Sequence, residues 1–125
     1  MERKQLEQFI AIPTIANDKK ANELGIEFLR NLLLPMGFET TTIGDSPYHQ
    51  PVIISRYNNP QSSKKIVLYG HYDVEKIKPT EQWNTPPFKL VEENGRYFCR
   101  GIADNKAVLL TRIHALQEMI SSGEV

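Results

Sequence analysis

Two short segments of this sequence carry residue types that can do chemistry together. In Gly70-His71-Tyr72-Asp73 an imidazole and a carboxylate flank one residue. Side chains alternate along an extended chain, so His71 and Asp73 are expected to point the same way. A neutral imidazole is a good zinc ligand, and a metal-bound histidine usually has a carboxylate or carbonyl fixing its ring. His-x-Asp by itself is also what chance, or a surface histidine beside an acid, produces. The second segment is Arg100-Gly101-Ile102-Ala103-Asp104-Asn105-Lys106. It follows a hairpin strand and opens a helix, so Asp104 is either part of a site or a helix N-cap, a position that favours Asp.

Other reactive residue types have plainer explanations. Cys99 could be a soft ligand or a nucleophile, but behind Tyr97-Phe98 in a strand a buried, inert thiol is preferred. His49, in the loop Pro47-Tyr48-His49-Gln50-Pro51, is expected to face solvent, and His114, on the last helix, to be partly buried and hydrogen-bonded. A lysine in a first helical turn opposes the helix dipole. Lys106 is therefore expected to have a partner, Asp73 or Asp104, or else to meet a substrate carboxylate. Arg100 is expected in a structural ion pair. Trp83, with Pro86, Pro87 and Phe88, either shapes a pocket or plugs a loop onto the sheet; the plug is preferred.

The elements that must position these groups follow from periodicity. Leu6, Phe9 and Ile10 have helical spacing, and Pro13 ends that helix. Asn17 or Asp18 caps the next, whose buried stripe is expected at Ala21, Leu24, Phe28 and Leu32, with Pro35 weakening its end and Gly37 closing it. Strands are expected at 38–43, 52–57 and 66–69. The last of these, Ile66-Val67-Leu68-Tyr69, is apolar throughout, as in a strand buried on both faces. Asn94-Gly95 marks a hairpin between 89–92 and 96–99. A final helix from near Asp104 presents Leu109, Ile113, Leu116 and Ile120 on one face. This order indicates an α/β fold, a mixed sheet flanked by helices. Ligands of such sheets sit at the carboxyl ends of strands, where His71 falls. The sequence stops just after a helix, where another strand is expected, so the fold reads as cut short.

Composition narrows the function classes. The formal net charge is zero, with no basic patch, so neither nucleic acid nor an anionic membrane is an expected partner. A single cysteine rules out an internal disulfide, and the start lacks an apolar stretch of signal-peptide length; the cytoplasm is the expected compartment. A nucleotide- or sugar-binding α/β domain would need a glycine-rich phosphate loop, and the seven glycines are scattered.

Taken together, GHYDV, WNTPPF and RGIADNKA resemble the zinc aminoacylase/dipeptidase family, which includes cytosolic non-specific dipeptidases, acetylornithine deacetylase and succinyl-diaminopimelate desuccinylase. FIAIPTIA and MGFE are similar to its N-terminal region, and the Tyr of GHYDV and the DNK step favour its dipeptidase branch. The resemblance implies a zinc-exopeptidase-like catalytic domain of which residues 1–125 are the N-terminal part. Carried over residue by residue, His71 binds one zinc, Asp73 orients His71, and Asp104 bridges two zinc ions, with cobalt or manganese as alternatives. It also implies a cis Asp104–Asn105 peptide. Cys99 and Ala107 stand where the family usually has glycine, a change of local packing rather than of ligands. The implied reaction is attack of metal-activated water on the amide of a dipeptide or N-acyl amino acid. The family's general-base Glu, a second Glu ligand, a further carboxylate and a last His have no counterpart before Val125. The chain is therefore expected to be inactive without a further C-terminal segment, or else to be a non-catalytic fragment or binding module that keeps the fold. Oligomeric state is not legible.

Overall fold

A computed structural model of the chain describes residues 2–44 and 50–125. Helix α1 (Arg3–Ala11) buries Leu6, Phe9 and Ile10, and the backbone turns extended at Ile12, ahead of Pro13. Asp18 caps helix α2 (Lys19–Leu33), its carboxylate accepting from the Ala21 N–H at 2.9 Å. The buried face of α2 is Ala21, Asn22, Gly25, Ile26, Leu29 and Leu33, whereas Leu24 is 45% exposed. This face is rotated from the expected stripe, and Gly25 explains why: a Cβ there would lie 2.6 Å from Thr14 Cγ2. The α1–α2 connection packs directly against the helix backbone at that point. At Pro35 the helix tightens into a 3-10 turn (Leu34–Met36), closed by Gly37 at φ 87°.

Strands β1 (Glu39–Ile43) and β2 (Val52–Arg56) pair antiparallel, with Thr41 opposite Ile54. Strands β3 (Val91–Glu93) and β4 (Arg96–Phe98) form the second hairpin, where Asn94 and Gly95 both take positive φ (52° and 73°). Two left-handed residues make the mirror-image turn whose twist suits a two-residue hairpin. The π-helical turn Ile102–Lys106 then leads into α3 (Ala107–Ser121).

The α/β class holds, but the strands do not merge into one mixed sheet: the described residues contain two separate two-stranded antiparallel sheets. Residues 66–69 have no strand pairing, and Ile66, Val67 and Tyr69 are 81%, 91% and 80% exposed. An apolar run becomes a buried strand only when neighbours cover both faces and take its backbone hydrogen bonds. No described strand lies beside it, so the expected third strand does not form.

Two apolar clusters hold the molecule together. One gathers Phe9, Ile26, Leu29, Leu33, Tyr72 and Ile113, with Phe28 stacked on Phe9 at 4.6 Å. The other gathers Leu6, Ile10, Leu90, Cys99 and Leu110. Each fully buried Leu, Ile or Phe contributes about 1.5–3 kcal/mol. On α3 the buried residues are Leu110 and Ile113; of the rest of the expected stripe, Leu109 packs against the first cluster and over Gly70, and Leu109, Leu116 and Ile120 are half-buried. Among the described residues no helix is long and apolar enough to cross a membrane.

Candidate metal site

The segment after Tyr69 is extended and alternates as its sequence requires. Tyr72 and Val74 are buried (7% and 5% exposed), while His71 and Asp73 face outward on the opposite side. Main-chain pairing to a sheet does not hold this segment. Thr14, fully buried, donates its hydroxyl to Tyr72 O at 2.7 Å and accepts the Val74 N–H at 2.9 Å. The Tyr72 hydroxyl donates to Pro51 O at 2.8 Å, and burial pushes that phenol up to about 12. Gly70 is needed for close approach, since a Cβ there would lie 2.8 Å from Leu109 Cδ1.

Asp104 arrives from the other direction, on the π-helical turn. Gly101, at φ 86°, lets the chain reverse out of β4, and Asp104 itself is non-helical (φ −128°, ψ 89°). The Asp104–Asn105 peptide is cis, as the resemblance implies. Neither the turn nor α3 has a side-chain N-cap, so Asp104 is not the helix cap that it could have been. Lys106 fastens this turn. Its side chain is fully buried and its ammonium donates to Phe9 O at 2.8 Å and to Ile12 O, over the Phe9 ring. It therefore meets neither Asp73 nor Asp104, and it cannot reach a substrate; a cation at the carboxyl end of α1 suits the helix dipole. Burial lowers the ammonium to about 7, against a small upward pull from Cys99.

These two arms bring His71 and Asp104 together. His71 Nε2 lies 2.8 Å from Asp104 Oδ1, and the carboxylate is 87% exposed in the cleft. On the other side of the ring, Nδ1 lies 3.1 Å from Asp73 O and 3.3 Å from Asp73 Oδ1. Both ring nitrogens therefore face acceptor oxygens; in the tautomer with the proton on Nδ1, donating to the Asp73 carbonyl, Nε2 is left free to meet a cation beside Asp104. Two Lewis bases at that distance need a Lewis acid between them, either a proton or a metal ion. Two ligand atoms on one tetrahedral zinc stand about 3.4 Å apart. A small opening of this pair would admit one, and the donor set fits a divalent cation. Asp73 is on the far side of the ring, where an orienting group belongs. Ile15, Ala16, Gln50, Glu75 and Lys76 line the rest of the cleft. Among the described residues no group of three or more His, Cys, Asp or Glu side chains could hold a metal ion.

The remaining candidates are structural. Arg100 pairs with Glu81, which also accepts from Trp83 Nε1 at 2.8 Å, and the guanidinium lies over the Trp83 ring. The Trp83 hydrogen bond, and then Arg100 and Lys78, hold the Glu81 carboxyl below its ordinary range against partial desolvation. Trp83 is thus tied to Arg100, just ahead of the π-helical turn, through the shared Glu81 carboxylate, rather than packed as a plug on the sheet. His114 is half-buried as expected, but its Nε2 lacks a hydrogen-bond partner. His49 lies outside the described residues. Cys99 is buried, and desolvation pushes its thiol up to about 11, with Lys106 pulling the other way. At pH 8, iodoacetamide is expected to alkylate Cys99 on the order of 100-fold more slowly in the folded chain than in urea. Equal rates would mean an accessible thiolate. Thr14 and Gln50 carry no advance signal, because a buried hydroxyl and a loop amide have no diagnostic spacing.

Residues 67–125 match the description Peptidase family M20/M25/M40. Across 96% of its length the chain is 31% identical to the probable di- and tripeptidase DUG2 of Saccharomyces cerevisiae. It is 30% identical over 93% of its length to succinyl-diaminopimelate desuccinylase of Acidovorax ebreus. The fold superposes on the solved di-peptidase Dug1p of Saccharomyces cerevisiae with a TM-score of 0.80 at 28% identity, over 96% of this chain. The chain spans only 15% and 31% of those two curated relatives and 28% of the solved chain. By motif, sequence and fold together, this chain is similar to peptidase family M20/M25/M40, whose description matches residues 67–125, and it corresponds to part of the length of the relatives it matches.

Proposed function

We propose that residues 1–125 form the N-terminal part of a metallopeptidase catalytic domain, contributing His71 and Asp104 as metal ligands and Asp73 as the group that orients His71. The observation that supports this is the approach of His71 Nε2 to Asp104 Oδ1 at 2.8 Å. The cation is zinc, in a two-ion site, with cobalt and manganese as substitutes. When bound, it supplies Lewis acidity for activating water and polarising an amide carbonyl. The chain's own residues do the positioning. Asp73 fixes the imidazole, Asp104 presents its exposed carboxylate to the cleft, and Lys106 pins the turn on which Asp104 rides.

Ligand counting argues that this chain alone does not catalyse. Zinc takes about four ligands, and one imidazole with one carboxylate leaves most of the shell to water. Among the described residues no carboxylate of the cleft stands free as a general base for the attacking water, since Asp73 and Asp104 are engaged with His71 and Glu75 is paired with Lys78. Further ligands must come from a C-terminal segment of the same enzyme. The substrate class is a dipeptide or an N-acyl amino acid, from the names of the relatives DUG2 and the desuccinylase. The protein acts in the cytoplasm, without nucleic acid or membrane partners.

The test is hydrolysis of a dipeptide and of an N-succinyl amino acid in zinc, cobalt or manganese. The chain alone is expected to give no turnover above buffer. Joined to the C-terminal segment it is expected to be active, and His71→Ala in the joined protein to be inactive. Hydrolysis by the chain alone at ordinary enzyme rates would overturn the division of ligands. An active joined protein carrying His71→Ala would overturn the site.

A further inference from the structure

The His71–Asp73 arm is extended but belongs to no sheet, so something other than a ladder must fix its orientation. Thr14 is the residue placed to do so. Its side chain is completely buried, and it contacts the arm at the two residues that flank Asp73. The hydroxyl donates to the Tyr72 carbonyl at 2.7 Å, while the Thr14 carbonyl accepts the Val74 N–H at 2.9 Å. Its methyl is wedged against Gly25 of α2, where no Cβ would fit. The α1–α2 connection thereby transmits the position of the helical core to the peptide plane ahead of Asp73. That plane decides where the Asp73 backbone, and with it the Asp73 carbonyl, stands relative to the ring. His71 Nδ1 lies 3.1 Å from this carbonyl, which determines which imidazole nitrogen faces Asp104. Gln50, whose amide donates to Asp73 Oδ2 at 3.4 Å, supports the same residue from the β2 side.

We propose that Thr14 is the positioning residue of the metal site, its buried hydroxyl locking the His71–Asp73 arm so that Nε2 of His71 is presented to the cation. This deepens the metal reading above, on which only the affinity measurement depends. Two readouts test it on the full chain. The first is zinc affinity by competition with a chromophoric chelator. The second, in metal-free protein, is solvent exchange of the His71 Nδ1 proton followed by 15N-edited NMR. Thr14→Val keeps the shape and removes the hydroxyl; Thr14→Ser keeps the hydroxyl and removes the methyl.

With Thr14→Val, zinc affinity is expected to fall about 10-fold, the scale of losses when an outer-shell partner of a metal ligand is removed. The Nδ1 proton is expected to exchange at least 10-fold faster. Thr14→Ser is expected to restore both readouts even where its melting temperature falls, which a purely structural role would not produce. Wild-type proton exchange in folded Thr14→Val would overturn the proposal, as would loss of proton protection in Thr14→Ser. The Thr14→Ser result decides the matter if Thr14→Val does not fold. Absence of zinc binding both in the chain and in the protein joined to its C-terminal segment refutes the metal reading, while the exchange comparison still decides the role of Thr14.

Discussion

Truncating Lys106 to alanine is expected to cost about 3–5 kcal/mol in urea denaturation, the scale of removing a large buried side chain and leaving a cavity. The side chain is fully enclosed and spans from the π-helical turn to the carboxyl end of α1. Methionine at the same position separates its two contributions. Lys106→Met fills the space but gives up the hydrogen bonds to Phe9 O and Ile12 O. Those carbonyls are not orphaned, because they also accept the Ile12 and Thr14 N–H groups. Met also removes the desolvation of an ammonium whose burial pulls it down to about 7. The net cost of Lys106→Met is therefore expected to be about 1–2 kcal/mol. Equal losses for the two substitutions would show that hydrogen bonding, not packing, fastens the turn. A loss below about 1 kcal/mol for alanine would show that the turn does not depend on Lys106. Either result would require another explanation for how Asp104 is held.

The second large effect concerns the cation. His71→Ala and Asp104→Asn are each expected to weaken zinc binding at least 100-fold, measured by chelator competition. Both side chains open to the cleft, with Asp104 87% exposed, so neither change should lower the melting temperature by much. Asp73→Asn is expected to cost about 10-fold, since it disturbs the ring without removing a ligand. The double variant His71→Ala/Asp104→Asn should be little worse than either single one, because both act on one bound ion. Full additivity would mean that the two residues hold different ions. Tight zinc binding by either single variant would mean that the ion sits elsewhere.

The sequence disclosed local structure well and long-range partnership poorly. Asp18, Gly37 and Asn94-Gly95 announced a cap, a stop and a turn because each acts through its own backbone neighbours. The alternation placing His71 and Asp73 on one side of the chain was equally local. Ile66–Tyr69 was the opposite case. Its composition suits a covered strand, but covering is a property of neighbours, and here those residues stand exposed. The buried face of α2 was displaced from Leu24 to Gly25 because Thr14, eleven residues earlier in the chain, needed room. Lys106 was expected beside a carboxylate; its actual acceptors are carbonyls at the end of α1. The convergence of His71 and Asp104, thirty-three residues apart, came only through the family resemblance, since neither motif specifies the distance between them.

X-ray absorption at the zinc edge of the zinc-loaded chain tests the central claim most directly. The expected shell contains one imidazole nitrogen at about 2.0–2.1 Å, carboxylate oxygen at about 2.0–2.2 Å and water, with the imidazole contribution missing in His71→Ala. A shell of water alone, a sulfur at about 2.3 Å from Cys99, or an imidazole contribution that survives His71→Ala would contradict it.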